Sequence, residues 1–231
     1  MSTLSRSNVF GTGPNPNRRN IILVRHGETQ GNIGDRLQGQ FDAPLTDKGV
    51  RQAQALSRRL ANTDFNAVYA SDLQRAVHTA QSILNNRSNI EIQLRPELRE
   101  LHYGTYENTS WSVVQNEDPT FFKRFIEWET RPSAKYPGGE SVTDLWQRVG
   151  NFANELLTNH SEEATILIVA HGGSLQALLA QFLALRITDQ WHFHFDNTSV
   201  SIIKEHPMAP RVWQATLFND TSHLESFNSH E

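Results

Sequence analysis

Hydrophobic periodicity divides the chain into alternating segments of two kinds. Short apolar runs at Ile21–Val24, Phe65–Ala70 and Thr165–Ala170 read as strands buried on both faces of a sheet. Segments of helical period lie between them. Thr46-Asp47 caps a helix to about Leu60, with Val50, Ala53, Leu56 and Leu60 on one face. Ser71-Asp72 starts a second, whose inner stripe is Leu73, Ala76, Val77, Ala80, Ile83 and Leu84. Ser141 and Asp144 form a capping-box pattern for a third, striped by Val142, Leu145, Val149, Phe152 and Leu156. A fourth follows His171-Gly172-Gly173, with Leu175, Leu178, Leu179 and Phe182. Ile90–Leu94 alternates and is stopped by Pro96, which makes it another strand. Ser199–Ile203 and Arg211–Leu217 add a hairpin-like pair near the sheet edge. Strands alternating with helices predict an α/β three-layer sandwich. Its central sheet is mainly parallel, with about six strands flanked by helices and right-handed crossovers.

The regular pattern lapses between Glu97 and Gly139. This stretch carries Tyr103, Tyr106, Trp111, Phe121, Phe122, Phe125 and Trp128 and closes with Tyr136-Pro137-Gly138-Gly139. A break of that length reads as a lid-like insertion, either a functional lid or a small subdomain. Residues 1–19 are polar, include Gly11-Thr12-Gly13-Pro14-Asn15-Pro16 and hold no apolar signal core. They read as a mobile N-terminal tail before one domain, 20–231. Arg6, Arg18 and Arg19 without any acid also fit a short transit peptide.

Composition narrows the functional classes. A length of 231 residues with 37% hydrophobic content, 12 Phe and 5 Trp suffices for a sizeable single core. A formal charge of -4 gives no reason to expect nucleic acid or an anionic membrane as partner. The absence of cysteine excludes disulfides, thiolate metal sites and a Cys nucleophile, and suits a reducing, cytoplasmic setting. No apolar stretch approaches the roughly 18–20 residues that span a bilayer. An edge strand or exposed aromatics can support a homodimer.

Three strand-to-helix junctions carry the same chemistry. They are Arg25-His26-Gly27, Ser71-Asp72-Leu73-Gln74-Arg75 and His171-Gly172-Gly173. If the strands are parallel, all three share the carboxyl edge, where α/β sheets bind ligands. Two arginines, two histidines and helix N-termini together form an anion site, and bidentate arginines match phosphate oxygens.

The residues Arg25-His26-Gly27-Glu28-Thr29, Asn32, Leu45-Thr46-x-x-Gly49, Ser71-Asp72-Leu73-x-Arg75-Ala76, Leu98-x-Glu100-x-x-Tyr103-Gly104 and His171-Gly172-Gly173 carry a resemblance. Together they resemble the histidine phosphatase superfamily, also called phosphoglycerate-mutase-like, over about residues 20–217, in that family's order. The resemblance implies that His26 attacks phosphorus in line and forms a phosphohistidine. It implies that Arg25, Arg75 and His171, with Asn32, hold the equatorial oxygens, and that Glu100 protonates the leaving oxygen and then takes a proton from water. The segment Gly34 to Gln40 is expected over the phosphate, bringing Gln38 and Gly39 to it. Tyr103 is expected at an aromatic pocket rim and Gly172 beside the phosphate. No metal and no cofactor is called for, because fixed cations replace magnesium.

Other histidines keep plainer readings. His192-Phe193-His194 can mimic a metal pair but reads as an irregular, half-solvated segment. His102 lies beside Glu100, and alternation can point it away from the site.

Within the family, mutases resemble one another in an HGN-S-L-R segment and a paired Arg-Arg in a longer insertion. Here His171-Gly172-Gly173-Ser174-Leu175-Gln176 and isolated Lys123-Arg124 and Arg131 stand instead, and Glu107-Asn108 replaces the common Glu-Gly. Fewer cationic contacts weaken the grip on a second acidic group and favour a phosphatase. The expected partner is a small phosphorylated metabolite, with L-phosphoserine favoured as a compact zwitterion. The alternatives are α-ribazole phosphate, phosphoglycerate mutase activity, and a non-catalytic phosphate-binding module.

Overall fold

A computed structural model of the chain describes residues 19–227 apart from 35, 86, 88, 128, 207 and 210. Residues 1–18 of the expected tail, and Trp128 of the insertion, lie outside the described residues. Arg19, the last residue of that expected tail, is buried and donates to the carbonyls of Leu157, His160 and Ser161.

In chain order, β1 (Asn20–Arg25) is followed by β2 (Arg36–Leu37), α1 (Asp47–Arg59), β3 (Ala67–Ala70), α2 (Gln74–Ile83) and β4 (Ile92–Leu94). Next come β5 (Thr109–Ser110), α3 (Trp111–Glu117), α4 (Pro119–Ile126), α5 (Val142–Asn159), β6 (Thr165–Ala170) and α6 (Gly172–Phe182). The described residues close with β7 (Val200–Glu205), β8 (Trp213–Asp220) and a 3-10 turn at Ser222–Phe227. The main sheet has the order β4-β3-β6-β1-β7-β8. Its first four strands are parallel, while β7 and β8 run antiparallel as the expected edge hairpin.

Alternation along β1 splits the interior into two cores. Ile21 and Leu23 face one, with α5, α6 and the insertion, while Ile22 and Val24 face the other, with α1 and α2. That is the three-layer sandwich. The 97–139 insertion contains α3, α4 and β5, and β5 pairs with β2. Tyr106, Val114, Phe121, Phe125 and Tyr136 belong to the same core as α5 and α6, so the insertion is packed onto the sheet layer.

Three local expectations need correction. Val50 is 41% exposed, because Gly49 and Gln52 take the inward positions of α1 beside Ala53 and Leu56. The strands expected from Phe65 and Ile90 start at Ala67 and Ile92; Phe65 and Ile90 pack on the second core, and Asn66 N donates to the Thr165 carbonyl just ahead of β3. Helix α2 begins at Gln74 after an extended Leu73, which frees Ser71 and Asp72 for other contacts.

Gly49 explains why a glycine stands in the first turn of α1. The Glu28 carbonyl accepts from Thr46 N at 2.9 Å. A Cβ on Gly49 would lie 2.1 Å from that carbonyl oxygen, and a Cβ on Gly27 would lie 2.6 Å from the Gly49 carbonyl oxygen. The loop after β1 is thus seated directly on the α1 backbone. Gly49→Ala should cost about 2 kcal/mol or more in chemical denaturation, and Val50→Ala less than about 0.5 kcal/mol; equal costs would contradict this packing.

Candidate active site

The parallel register places three strand ends together: Arg25 opposite Ala170, and Ala70 opposite Val169. The residues that follow converge as expected, and the His26 and His171 rings lie 5.0 Å apart between centroids. His26 Nδ1 lies 2.7 Å from the Gly27 carbonyl oxygen. A carbonyl only accepts, so Nδ1 carries the hydrogen and Nε2 is left bare. His171 takes the opposite tautomer. Its Nδ1 accepts from Arg75 Nε at 3.1 Å, and its Nε2 donates to the Ser71 hydroxyl at 2.8 Å. Burial, then Arg75 and Arg25, holds His26 well below the usual histidine range. Burial, then Arg75, does the same to His171. Both rings are neutral at neutral pH.

Arg75 is 1% exposed. Its terminal nitrogens donate to the carbonyls of Phe41 at 2.9 Å and Gly39 at 2.6 Å, and each keeps a second hydrogen. Burial lowers its pKa to about 10, so it stays charged at neutral pH. Arg25 donates to the Phe195 carbonyl at 2.6 Å, while its buried Nε has no hydrogen-bond partner among the described residues. Burial lowers Arg25 as well, against the opposing pull of Glu100 and Asp196.

Glu100 accepts from its neighbour Leu101 N at 2.8 Å and from Gly173 N, in the first turn of α6, at 2.9 Å. A Cβ on Gly173 would sit 2.3 Å from Glu100 Oε1. A Cβ on Gly172 would meet Glu100 Oε2 at 3.8 Å and Arg25 Nε at 3.9 Å. The glycine pair therefore makes room for a carboxylate beside Arg25, and the α6 amide of Gly173 holds that carboxylate.

The remaining expected residues surround this centre. Asn32 Oδ1 accepts from Thr29 N and from Asn197 Nδ2 at 3.0 and 3.2 Å. Gln38 Oε1 accepts from the Thr29 hydroxyl at 2.9 Å, and its buried Nε2 has no partner among the described residues. Gly39, at φ +55°, is wedged against Tyr103 and Glu107, with its carbonyl on Arg75. Tyr103 packs edge-on to Tyr136 at 4.9 Å, and burial pushes its phenol above the usual range. His102 turns toward Glu107 (3.6 Å) rather than into the centre. His192 and His194 are exposed at the end of a 3-10 turn and beyond it, with His194 near Asp196. Among the described residues, no three His, Cys, Asp or Glu side chains gather where a metal ion could be held.

Sequence reasoning missed several supports. Thr79, one turn after Arg75 on α2, accepts from Gly27 N at 3.1 Å. Asn197 donates to the His26 carbonyl at 2.9 Å, and Thr198 N donates to the Arg25 carbonyl at 3.0 Å. Small polar residues at long sequence separation leave no periodic signal. The polar triplet Asn197-Thr198-Ser199 before β7 was the one local hint.

Family comparison agrees with this geometry. The sequence profile described as histidine phosphatase superfamily (branch 1) matches residues 21–221. The chain belongs to that superfamily. It is 32% identical over 206 residues to the probable phosphoglycerate mutase GpmB of Proteus mirabilis, covering 88% of this chain and 94% of that protein. The structure superposes on α-ribazole phosphatase from Shigella flexneri with a TM-score of 0.80 and 30% identity, covering 87% and 96% of the two chains. It also matches phosphoserine phosphatase from Entamoeba histolytica, a mutant in complex with phosphoserine, with a TM-score of 0.77 and 26% identity over 89% and 99%. Members of this superfamily are phosphatases and mutases, so the chain is an enzyme that handles phosphorylated substrates.

The buried neutral histidines have a consequence for stability. Unfolding releases His26 and His171 to the ordinary value of 6.5, and His223, which burial pushes down to about 4, behaves alike. Below about pH 6.5 the unfolded chain binds more protons than the folded one, so stability falls as pH falls. Each group contributes at most about 1.4 kcal/mol per pH unit. The thermal midpoint should therefore drop between pH 7 and 5, with a shallower slope for His171→Gln. An unchanged slope in that variant would contradict the neutral assignment.

Proposed function

We propose that the protein is a metal-independent phosphomonoesterase acting on a small phosphorylated metabolite, with L-phosphoserine as the favoured substrate. The observation that carries this reading is the bare Nε2 of His26 in a buried cradle with Arg25 and Arg75. A neutral imidazole with an unshared pair is a nucleophile at neutral pH, and flanking guanidiniums favour both the neutral form and the incoming anion.

In the first half-reaction, Nε2 bonds to phosphorus, the phosphorus–oxygen bond to the leaving group breaks, and Glu100 gives that oxygen its proton. Arg25 Nε and the second hydrogens of Arg75 are the donors for the phosphoryl oxygens, where charge is concentrated in the transition state. His171 acts mainly through Arg75, since both of its ring nitrogens are engaged in the structure. In the second half-reaction, water attacks phosphorus, its proton passes to the Glu100 carboxylate, and the phosphorus–nitrogen bond breaks. Phosphate leaves, and His26 returns to its starting tautomer.

The phosphatase reading is favoured over mutase chemistry by the loss of charge around the site. Gln176, at the last position of the mutase-like segment, donates to the Phe193 carbonyl at 2.7 Å and supplies no cation. Lys123 and Arg124 are exposed on α4. The names of the Shigella and Entamoeba proteins support small phosphomonoesters. The name of the Proteus protein supports the mutase alternative.

A panel of phosphomonoesters with EDTA present separates these readings. Phosphate release, fastest with phosphoserine and insensitive to EDTA, is the expected result, and His26→Ala should lower turnover by at least about 10³-fold. Isomerisation of 3-phosphoglycerate without phosphate release would overturn the hydrolase reading.

A further inference from the structure

The segment that carries Glu100 has little secondary structure of its own. It leaves β4 through a 3-10 turn at Pro96–Leu98 and reaches the next turn, Gly104–Tyr106, without a sheet partner among the described residues. Its carbonyls nevertheless have donors. Arg148, in the second turn of α5, donates from one terminal nitrogen to the carbonyls of Glu97 and Arg99, both at 2.8 Å. The other terminal nitrogen donates to the carbonyl of Glu100 and to Glu140 Oε2, both at 2.9 Å. Nε donates to Glu140 Oε1 at 2.8 Å. All five N–H groups of the guanidinium are used, three of them on the backbone around the proposed general acid.

Glu140 completes the brace. Its Oε2 also accepts from His102 N at 3.1 Å, and its own N donates to the His102 carbonyl at 2.9 Å. Residues 97, 99 and 100 are thus fastened to α5 through Arg148, and residue 102 to Glu140 just ahead of it, while α6 holds the Glu100 carboxylate through Gly173 N. The carboxylate is placed by two helices at once.

We propose that Arg148, clamped by Glu140, is the positioning residue for the Glu100 acid: it sets where the proton is delivered and touches neither substrate nor phosphoryl group. This rests on the reading of Glu100 as the proton donor to the leaving oxygen. Proton transfer depends on sub-ångström placement, whereas phosphate binding and His26 attack depend on other elements. Loosening the brace therefore penalises substrates whose leaving oxygen must be protonated and spares those whose leaving group departs as a stable anion.

The test measures single-turnover phosphorylation of His26 by phenyl phosphate and by 2,4-dinitrophenyl phosphate, two aryl esters that differ in leaving-group basicity. Arg148→Met should slow phenyl phosphate by about 50-fold or more and the dinitrophenyl ester by less than about 3-fold, with substrate affinity nearly unchanged. Glu100→Gln, run in parallel, should show the same selectivity with a larger loss. Arg148→Lys should recover part of the phenyl phosphate rate, because an ammonium can still reach some of the carbonyls. Parallel loss with both esters, or no loss, in Arg148→Met while Glu100→Gln stays selective would overturn the positioning role alone. A non-selective Glu100→Gln would overturn the acid assignment and the positioning role with it. Thermal unfolding checks each variant. Should Arg148→Met fail to fold, Glu140→Gln is judged by the same two rates.

Discussion

Keeping a guanidinium and two imidazoles out of water at one sheet edge is the constraint on which the rest of the molecule depends. Arg75, His26 and His171 are almost fully buried, and among the described residues no carboxylate is ion-paired with Arg75. A buried cation in that position is tolerable only when acceptors surround it. The structure supplies them from the main chain and from His171, through the carbonyls of Gly39 and Phe41 and the bare nitrogen of the ring. Using neutral acceptors keeps the net positive charge available for an anion.

That choice propagates outward. His171 must present Nδ1 to Arg75, which commits Nε2–H to Ser71, in the extended stretch before α2 starts at Gln74. Gly39 must turn its carbonyl inward at φ +55°, and Tyr103 and Glu107 close over it. Glu107 in turn accepts from Gln40 N at 2.8 Å, tying the 38–41 loop to the insertion. The insertion is therefore continuous with the cradle, and its aromatic core holds the loop whose carbonyls accept from Arg75. On the opposite side, Asn197 and Thr198 anchor the backbone of Arg25 and His26 from the β7 entry.

Much of this was legible in the residues and some was not. The apolar runs of β1, β3 and β6 located the sheet centre, because strands buried on both faces leave uninterrupted hydrophobic stretches. The capping pair Ser141 and Asp144 marked the start of α5 correctly, with both reciprocal hydrogen bonds present. The helical stripe misplaced Val50, since periodicity cannot show that Gly49 is drawn inward by contact with the Glu28 backbone. At the site, charged and aromatic residues announced themselves. The tautomers, the glycine space around Glu100 and the brace from Arg148 arise from contacts between residues far apart in sequence, which no local pattern encodes. No helix among the described residues is long and apolar enough to cross a membrane.

Nitrogen-15 NMR of the imidazoles in the substrate-free protein at neutral pH tests the account at its centre, because each ring nitrogen reports its own protonation. Two neutral rings of opposite tautomer are predicted, His26 with hydrogen on Nδ1 and His171 with hydrogen on Nε2. An imidazolium at either position, or hydrogen on Nε2 of His26, would contradict it.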